Sequence, residues 1–212
     1  MAEVVREIPG AVGPCEVLID TPSGEPRAAV VLAHPLPTEG GTMHTKVVFQ
    51  SGKALARMGC VVLRFNFRGV GKSAGTWDNG RGEKDDYRAA VDYMAKEHPG
   101  LEMWAAGFSF GSYIAATVGA DDDRICALIA IAPPVNKYDF ASMKMSTKPK
   151  FIVHGESDEL IPLKLVRELY AQLPEPKELV EIDRANHLFD GQASEVGDAL
   201  EELLEDFSCR TL

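Results

Sequence analysis

The sequence predicts an open, mostly parallel α/β sheet with helices on both faces. Apolar runs rich in Val, Ile and Leu alternate along the chain with longer segments of helical spacing. Several of the runs are continuously apolar rather than alternating, as expected for parallel strands that helices cover on both faces. The connections between the runs are long enough for crossovers, which favours an open sheet over a barrel.

Seven apolar runs are candidate strands. They span residues 17–19, 29–33, 61–65, 103–107, 127–132, 151–155 and 178–182. The candidate helices cover about 44–58, 84–97, 110–120, 162–173 and 192–207. No helix separates the first two runs, and residues 21–27 have the composition of a turn. The sheet is therefore expected to open with antiparallel strands.

The composition indicates a globular chain. Its 212 residues are 45% apolar and carry 22 Lys plus Arg against 32 Asp plus Glu, a formal net charge of −10. Because this charge would repel a phosphate backbone and the basic residues form no stripe, we exclude nucleic acid as a primary partner. Repeats and long linkers are absent, and we expect a single domain over residues 1–212.

The distribution of apolar residues also bears on location. No apolar stretch approaches the roughly 20 residues that cross a bilayer, and the N-terminus lacks the basic and then apolar pattern of a signal peptide. We therefore expect a cytoplasmic protein with no membrane partner. The sequence does not determine the oligomeric state, and it allows a homodimer.

The cysteines and histidines show no ligand spacing. Cys15, Cys60, Cys126 and Cys209 lie dozens of residues apart, and we expect reduced thiols, with Cys60 and Cys126 as buried structural ones. The five histidines form no H-E-x-x-H or similar pattern. We expect neither a metal nor a cofactor.

A G-x-S-x-G motif, Gly-Phe-Ser-Phe-Gly at 107–111, lies between a predicted strand and a predicted helix. A sharp turn there forces Ser109 to a positive φ, and the two glycines remove the resulting crowding. The backbone N–H of Phe110 then lies at a helix N-terminus, where it can stabilise an oxyanion. The motif favours Ser109 as a nucleophile over a glycine–serine turn without chemistry.

A serine nucleophile needs a histidine base, and that histidine needs an acid to fix its tautomer. Asp158 is the preferred acid because it follows the run 151–155, at the strand end where open α/β sheets build their sites. Glu156 and Glu159 compete with it, and all three could be solvated loop charges. His187 follows the run 178–182 and is the candidate base.

The chain order Ser109, Asp158, His187 is that of a nucleophile-elbow enzyme. His154 is expected to pack or to form a hydrogen bond within its strand rather than to act in catalysis. In the segment His34-Pro35-Leu36-Pro37, only Leu36 can offer a backbone donor after the strand, because proline has no N–H. Leu36 is therefore the candidate second oxyanion donor; the alternative is a rigid turn whose leucine only lines a pocket.

A second glycine motif, Gly-Val-Gly-Lys-Ser-Ala at 69–74, fits the loose dinucleotide-binding pattern. Residues 75–82 continue as loop, so no helix terminus receives a pyrophosphate, and the Walker pattern fails because Asn66 stands where a glycine is needed. We do not expect nucleotide binding. Arg64 and Arg68 are expected to anchor this loop through hydrogen bonds.

Over residues 28–190 the chain resembles the α/β-hydrolase superfamily, and more closely its compact, cap-free bacterial members related to dienelactone-hydrolase-like and prolyl-oligopeptidase-like catalytic domains. The motifs are HPLPTEGGTMHTKVV, VLRFNFRGVGKSAG, GFSFGS, APP, VHGESDELIP and NHLF, in that order. The resemblance implies about eight strands, an α/β-hydrolase fold without a cap domain, and hydrolysis through an acyl-enzyme with Ser109 as nucleophile, Asp158 as acid and His187 as base. Dienelactone hydrolases proper carry a cysteine nucleophile, so the serine here argues against that activity.

The expected function is that of a serine hydrolase acting on small carboxylic esters, with thioesters and amides allowed by the same mechanism. Its partner would be a small acyl substrate. The apolar residues expected to line the substrate pocket are Leu36, Phe110, Ile161 and Leu188. Only residues 136–147 are long enough to form a lid, and we expect an open cleft. The alternatives are a short-peptide or acylaminoacyl peptidase and a non-catalytic scaffold that binds a small ligand.

Overall fold

The computed structural model of the protein describes residues 5–209, which form one eight-stranded sheet between two layers of helices. The strands are β1 (Arg6–Gly10), β2 (Gly13–Asp20), β3 (Ala28–Ala33), β4 (Cys60–Phe65), β5 (Glu102–Phe108), β6 (Ile125–Ile131), β7 (Lys150–Gly155) and β8 (Lys177–Ile182). The helices are α1 (Lys46–Arg57), α2 (Gly82–Glu97), α3 (Phe110–Asp121), α4 (Ala141–Met145), α5 (Leu163–Gln172) and α6 (Ala193–Leu204).

The strands are arranged in the order β1-β2-β4-β3-β5-β6-β7-β8, with β3 to β8 parallel and the first two strands antiparallel. The prediction that the sheet opens with antiparallel strands is confirmed. The strand β2, however, pairs with β4, where Val17 is opposite Phe65, and not with its neighbour in sequence, β3. Crossover connections place β4 and β5 on the two edges of β3 and leave no edge for β2.

Two elements were not predicted from the sequence. The strand β1 is short and mostly exposed, with Ile8 as its one buried side chain, so it carries too little apolar pattern to predict a strand. The five-residue helix α4 lies in the segment 136–147, where Met143 is fully buried. Strand β1 forms a hairpin with β2, the next strand, and also contacts α2, whereas α4 contacts α3. The contacts with α2 and α3 come from elements that are distant in sequence.

The core has two halves, one on each face of the sheet. Strand β3 is buried on both sides, with Val31 packed towards the layer of α2, α3 and α5, and Val30 packed towards the layer of α1 and α6. This double burial explains why β3 is continuously apolar, as the parallel-sheet prediction requires. Among residues 5–209, no helix combines the length and the apolar composition that a bilayer crossing needs.

The expectation of reduced thiols is wrong for one pair of cysteines. Cys126, at the start of β6, forms a disulfide with Cys209, 83 residues later, whereas Cys15 and Cys60 are free and buried. The chain after α6 is brought under the sheet by Phe207, whose ring lies 5.4 Å from that of Trp104. Because this contact joins distant segments, the spacing of the cysteines in the sequence does not predict the disulfide.

The glycine-rich turn at 69–74 is fixed to its surroundings by charged side chains. Arg68 donates from Nε and Nη2 to the carboxylate of Asp86 on α2, at 2.9 and 2.8 Å, as the anchoring prediction requires. Arg64 also bonds to other parts of the fold: its Nε donates to Asp20 at 2.6 Å and its Nη1 to the carbonyl oxygen of Met43 at 2.9 Å. It therefore ties β4 to β2 and to the loop before α1.

Candidate active site

Ser109, Asp158 and His187 each follow a different parallel strand, namely β5, β7 and β8. The carboxyl ends of parallel strands meet at one edge of a sheet, which is where open α/β folds assemble their sites. The loops after β7 and β8 are also joined directly, since the backbone N–H of Ser157 donates to the carbonyl oxygen of Ala185 at 3.0 Å. This bond fixes the Asp158 and His187 loops relative to each other.

Ser109 occupies the strained turn that the sequence predicts. Its backbone has φ 50° and ψ −120°, a positive-φ conformation that side chains rarely adopt. A Cβ at Gly107 would overlap the backbone of Gly111, and one at Gly111 would overlap the carbonyl group of Ala33. The two glycines therefore let the start of α3 lie against the ends of β5 and β3, which presents the Ser109 hydroxyl.

A continuous chain of hydrogen bonds joins the three side chains. Ser109 Oγ lies 2.9 Å from Nε2 of His187, and Nδ1 of His187 lies 2.7 Å from Oδ2 of Asp158. Because the carboxylate can only accept, it places the imidazole proton on Nδ1 and leaves Nε2 free to accept the serine proton. The ring of Phe108 packs 5.8 Å from that of His187 and helps to hold it.

Asp158 is the one buried carboxylate of its loop, since Glu156 and Glu159 are exposed. Its Oδ1 accepts hydrogen bonds from the backbone N–H groups of Leu160, at 2.9 Å, and Ile161, at 2.7 Å. Burial raises the pKa of Asp158, but the hydrogen bonds from His187 and the Ile161 N–H outweigh burial, and the net pKa is lowered. Its burial and its hydrogen bonds to Leu160, Ile161 and His187 distinguish Asp158 from the other two acidic residues.

Two backbone N–H groups are the candidate oxyanion donors, those of Phe110 and Leu36. Phe110 is the first residue of α3, where the helix leaves its N–H groups without internal acceptors. Leu36 precedes a short 3₁₀ helix, Pro37–Glu39, and has φ −53° and ψ 119°. Within residues 5–209, neither the Leu36 nor the Phe110 N–H donates to a protein acceptor.

The loop that carries Leu36 is fixed by His34, a residue that the sequence did not single out for this role. The His34 ring is fully buried; Nδ1 lies 2.7 Å from the carbonyl oxygen of Pro35, and Nε2 accepts the backbone N–H of Phe67 at 3.1 Å. Burial lowers the pKa of His34 to about 4, partly offset by the Pro35 carbonyl. The imidazole is neutral and spans two loops beside the site.

The expectation that four apolar residues line the substrate pocket needs correction. The side chains of Phe110 and Ile161 are each 1% exposed and belong to the core, so they do not face an open pocket. Leu188 is 52% exposed and Leu36 is half-buried, and these two do present apolar surface. The sequence shows that a position is apolar, but not on which side of the loop it is buried.

The segment 136–147, the one candidate for a lid, packs against α3. The ring of Tyr138 stacks on that of Tyr113 at 4.5 Å, and Phe140 and Met143 are buried. These contacts make the segment part of the helical layer.

A cluster of potential metal ligands lies at the opposite edge of the sheet. One carboxylate oxygen of Glu102 and the sulfur atoms of Cys126 and Cys209 lie within 4.8 Å of one another, at the amino ends of β5 and β6. The two sulfur atoms are joined as a disulfide, and the Glu102 carboxylate accepts the Cys209 N–H at 2.9 Å. Metal ions bind thiolates, so in the oxidised state these two cysteines offer no thiolate ligand.

Comparison with known families decides the class of protein. Residues 24–144, more than half of the chain, match the sequence profile of the Hydrolase_4 family, described as serine aminopeptidase, S33. The chain belongs to the α/β-hydrolase superfamily. The Hydrolase_4 match and the arrangement of Ser109 at the elbow place this α/β hydrolase among the serine hydrolases.

Solved structures agree with this assignment. An α/β serine hydrolase homologue from Coxiella burnetii superimposes with a TM-score of 0.91 and 40% identity, covering 96% of this chain and 98% of that protein. An α/β serine hydrolase without a lid from Xanthomonas campestris has a TM-score of 0.87 and 34% identity, covering 95% and 93%. This chain is therefore a compact α/β hydrolase of the cap-free kind.

Among curated proteins, the α/β hydrolase is similar to a monoacylglycerol lipase from Mycolicibacterium smegmatis. The two are 32% identical over 137 residues, which cover 62% of this chain and 47% of the lipase. The chain thus spans about half the length of that relative.

Proposed function

We propose that the protein hydrolyses small carboxylic esters through an acyl-enzyme on Ser109, with thioesters accepted by the same mechanism. The observation that carries this proposal is the chain of hydrogen bonds from Ser109 Oγ through His187 to Asp158, with distances of 2.9 and 2.7 Å. A serine hydroxyl becomes a strong nucleophile when a correctly oriented imidazole takes its proton.

In the first step, His187 Nε2 accepts the Ser109 proton while Oγ attacks the acyl carbonyl carbon. The C–O double bond opens to an oxyanion, which then re-forms the carbonyl as the alkoxy group leaves with the proton from His187. Water repeats the sequence on the acyl-serine and releases the acid. Asp158 stays ionised throughout and stabilises the imidazolium, a role that its lowered pKa supports.

The oxyanion would be stabilised by the N–H groups of Leu36 and Phe110. Both groups lack protein acceptors among the described residues, and the Phe110 N–H also carries the partial positive charge of the α3 N-terminus. His34 supports this role because its bond to the Pro35 carbonyl holds the peptide unit to which the Leu36 N–H belongs.

A second candidate function is cleavage of short peptides, which the serine aminopeptidase description of the matching family favours. The similarity to a monoacylglycerol lipase favours an ester instead. We prefer the ester because an alkoxide leaves more readily than an amide nitrogen, and because the exposed Leu188 offers apolar rather than charged surface for a substrate. The cytoplasmic location and the lack of nucleic-acid and membrane partners stay predictions from the sequence.

The test combines covalent labelling with a substrate panel. The purified chain is treated with a fluorophosphonate probe and then assayed on short acyl esters, matching thioesters and dipeptide amides, with Ser109→Ala as the control. We expect labelling of the wild type at Ser109, none in the variant, and highest kcat/KM on the esters. The highest kcat/KM on dipeptide amides would replace the ester by the peptidase function. Absence of labelling in folded wild type would favour the non-catalytic scaffold.

A further inference from the structure

A second histidine lies beside the carboxylate that orients His187. His154 is near the end of β7, four residues before Asp158, and its side chain is fully buried. Its Nε2 lies 2.9 Å from the carbonyl oxygen of Ile161 and 3.5 Å from Oδ2 of Asp158, the same oxygen that accepts the His187 proton. The proposed mechanism gives His154 no step.

His154 is linked to the Asp158 carboxylate through the backbone of Ile161. Ile161 donates its N–H to Oδ1 of Asp158 at 2.7 Å and accepts the His154 Nε2 proton on its carbonyl oxygen. The proton must be on Nε2, since both neighbours of that atom are acceptors. The same Nε2 lies 3.5 Å from Oδ2 of Asp158, further than the 2.9 Å to the Ile161 carbonyl oxygen that accepts its proton.

The other nitrogen of the His154 imidazole, Nδ1, is buried and lacks a hydrogen bond among the described residues. An unsatisfied buried acceptor is destabilising, and such groups in native structures often mark a functional constraint. Burial also lowers the pKa of His154, so the ring stays neutral and does not compete with the His187 imidazolium for the charge of Asp158.

We propose that His154 is a positioning residue that holds Asp158 in the geometry that orients His187. It acts on the reaction only through the Ile161 carbonyl and the Asp158 carboxylate, and touches no substrate. This inference rests on the proposed function, since it needs a turnover in which His187 is the base.

The test uses two substitutions that differ only in reach. In His154→Gln the side-chain amide nitrogen lies at the same position along the side chain as Nε2 and can donate to Ile161. In His154→Asn the amide reaches only as far as Nδ1. Both variants are made in the wild-type and the Asp158→Asn backgrounds, and kcat, KM, melting temperature and the rate of fluorophosphonate labelling are measured for each.

We expect His154→Gln to keep kcat within about threefold, and His154→Asn to lower kcat by roughly tenfold to a hundredfold, the range of couplings within one hydrogen-bond network. KM should change by less than about twofold, because His154 is fully buried. In the Asp158→Asn background the difference in labelling rate between the Gln and Asn variants should disappear, because the group through which His154 acts is no longer a carboxylate.

Three results would overturn the positioning role. One is wild-type kcat in His154→Asn; another is an equal Gln-to-Asn ratio in both backgrounds, which would mean that His154 does not act through Asp158. Loss of a cooperative melting transition in both variants would make the role purely structural. Failure of the proposed function is distinguishable from all three, because it would show as wild-type protein that is neither labelled nor active.

Discussion

Gly107 and Gly111 face each other across the Ser109 turn with no room for a side chain between them, since a Cβ on Gly107 would overlap the Gly111 backbone. This close approach keeps Ser109 at φ 50° and its hydroxyl within 2.9 Å of His187. A turn of this kind cannot relax by moving one residue, because strand β5 and helix α3 are both fixed in the core.

A methyl group at position 107 should therefore damage both stability and turnover. We expect Gly107→Ala to lower the free energy of unfolding by about 1–3 kcal/mol, the usual cost of overpacking. Displacement of Ser109 by about 1 Å should lower kcat by up to about a hundredfold. Gly24→Ala is the matched control, because nothing lies within 4 Å of a Cβ at that position. Equal behaviour of the two variants in melting and ester assays would contradict the packing argument.

The acidic loop allows a direct test of which carboxylate orients His187. Asp158→Asn should lower kcat by roughly 10⁴, because an amide at this position favours the wrong imidazole tautomer. Glu159→Gln changes an exposed neighbour by the same chemistry and should keep kcat close to the wild-type value. A large loss of kcat in Glu159→Gln and near wild-type kcat in Asp158→Asn, measured on an ester, would mean that Glu159 is the orienting acid.

The same residue should contribute to acid sensitivity. The pKa of Asp158 is lowered from its ordinary value of 3.8, so its ionised form stabilises the folded state above that pH. The contribution is lost as the pH falls through the folded-state pKa. The stability difference between wild type and Asp158→Asn, measured by urea unfolding, should therefore shrink below about pH 4. A difference that grows in acid would contradict the direction of the shift.

His34 predicts a second dependence of stability on pH. Its pKa is lowered from 6.5 to about 4 in the folded protein, so between these values the unfolded chain binds more protons than the folded one. The free energy of unfolding should therefore decrease as the pH is lowered through this window, by about 3 kcal/mol from this group. His34→Gln, which can still accept the Phe67 N–H, should lack this component. An equal change in the free energy of unfolding of both proteins between pH 7 and pH 4 would contradict this assignment.

The disulfide between Cys126 and Cys209 closes a long loop, since the two cysteines are separated by 83 positions in the sequence. Removing such a cross-link typically costs about 2–5 kcal/mol, because the unfolded chain gains conformational freedom. We expect a dithiol reductant to lower the melting temperature of the wild type, and a Cys126→Ser/Cys209→Ser double variant to melt at the reduced temperature with no response to reductant. A wild type insensitive to reductant would contradict this.

Two substitutions at Leu36 test its side chain and its backbone N–H separately. Leu36→Ala keeps the N–H and should change KM or acyl preference while retaining most of kcat. Leu36→Pro removes the N–H, and the loss of one oxyanion donor costs about 2.7–4 kcal/mol, or roughly 10² to 10³ in kcat. The φ of −53° at this residue already suits proline, so the variant should fold. A folded Leu36→Pro variant with near wild-type kcat would assign the second donor to another N–H of this loop.

Much of this architecture could be predicted because it depends on local pattern. The core of every strand from β3 to β7 is visible as an apolar run, since burial on both faces requires apolar residues at successive positions. Ser109 is recognisable because the backbone turn itself requires glycines at fixed distances from it. Asp158 and His187 follow from the rule that parallel strands end at one edge.

Other features depend on where distant segments meet, and no local spacing encodes that. The pairing of β2 with β4 follows from which edges the crossovers leave free, and the Cys126–Cys209 bond follows from the docking of Phe207 under the sheet. The sequence by itself determined the strand and helix alternation and the order of Ser109, Asp158 and His187. Only the tertiary structure decided that Asp158 rather than its neighbours is desolvated, that Phe110 points into the core, and that His154 shares the Asp158 carboxylate. Burial and hydrogen bonding are properties of the assembled loops, since each depends on atoms contributed by other parts of the chain.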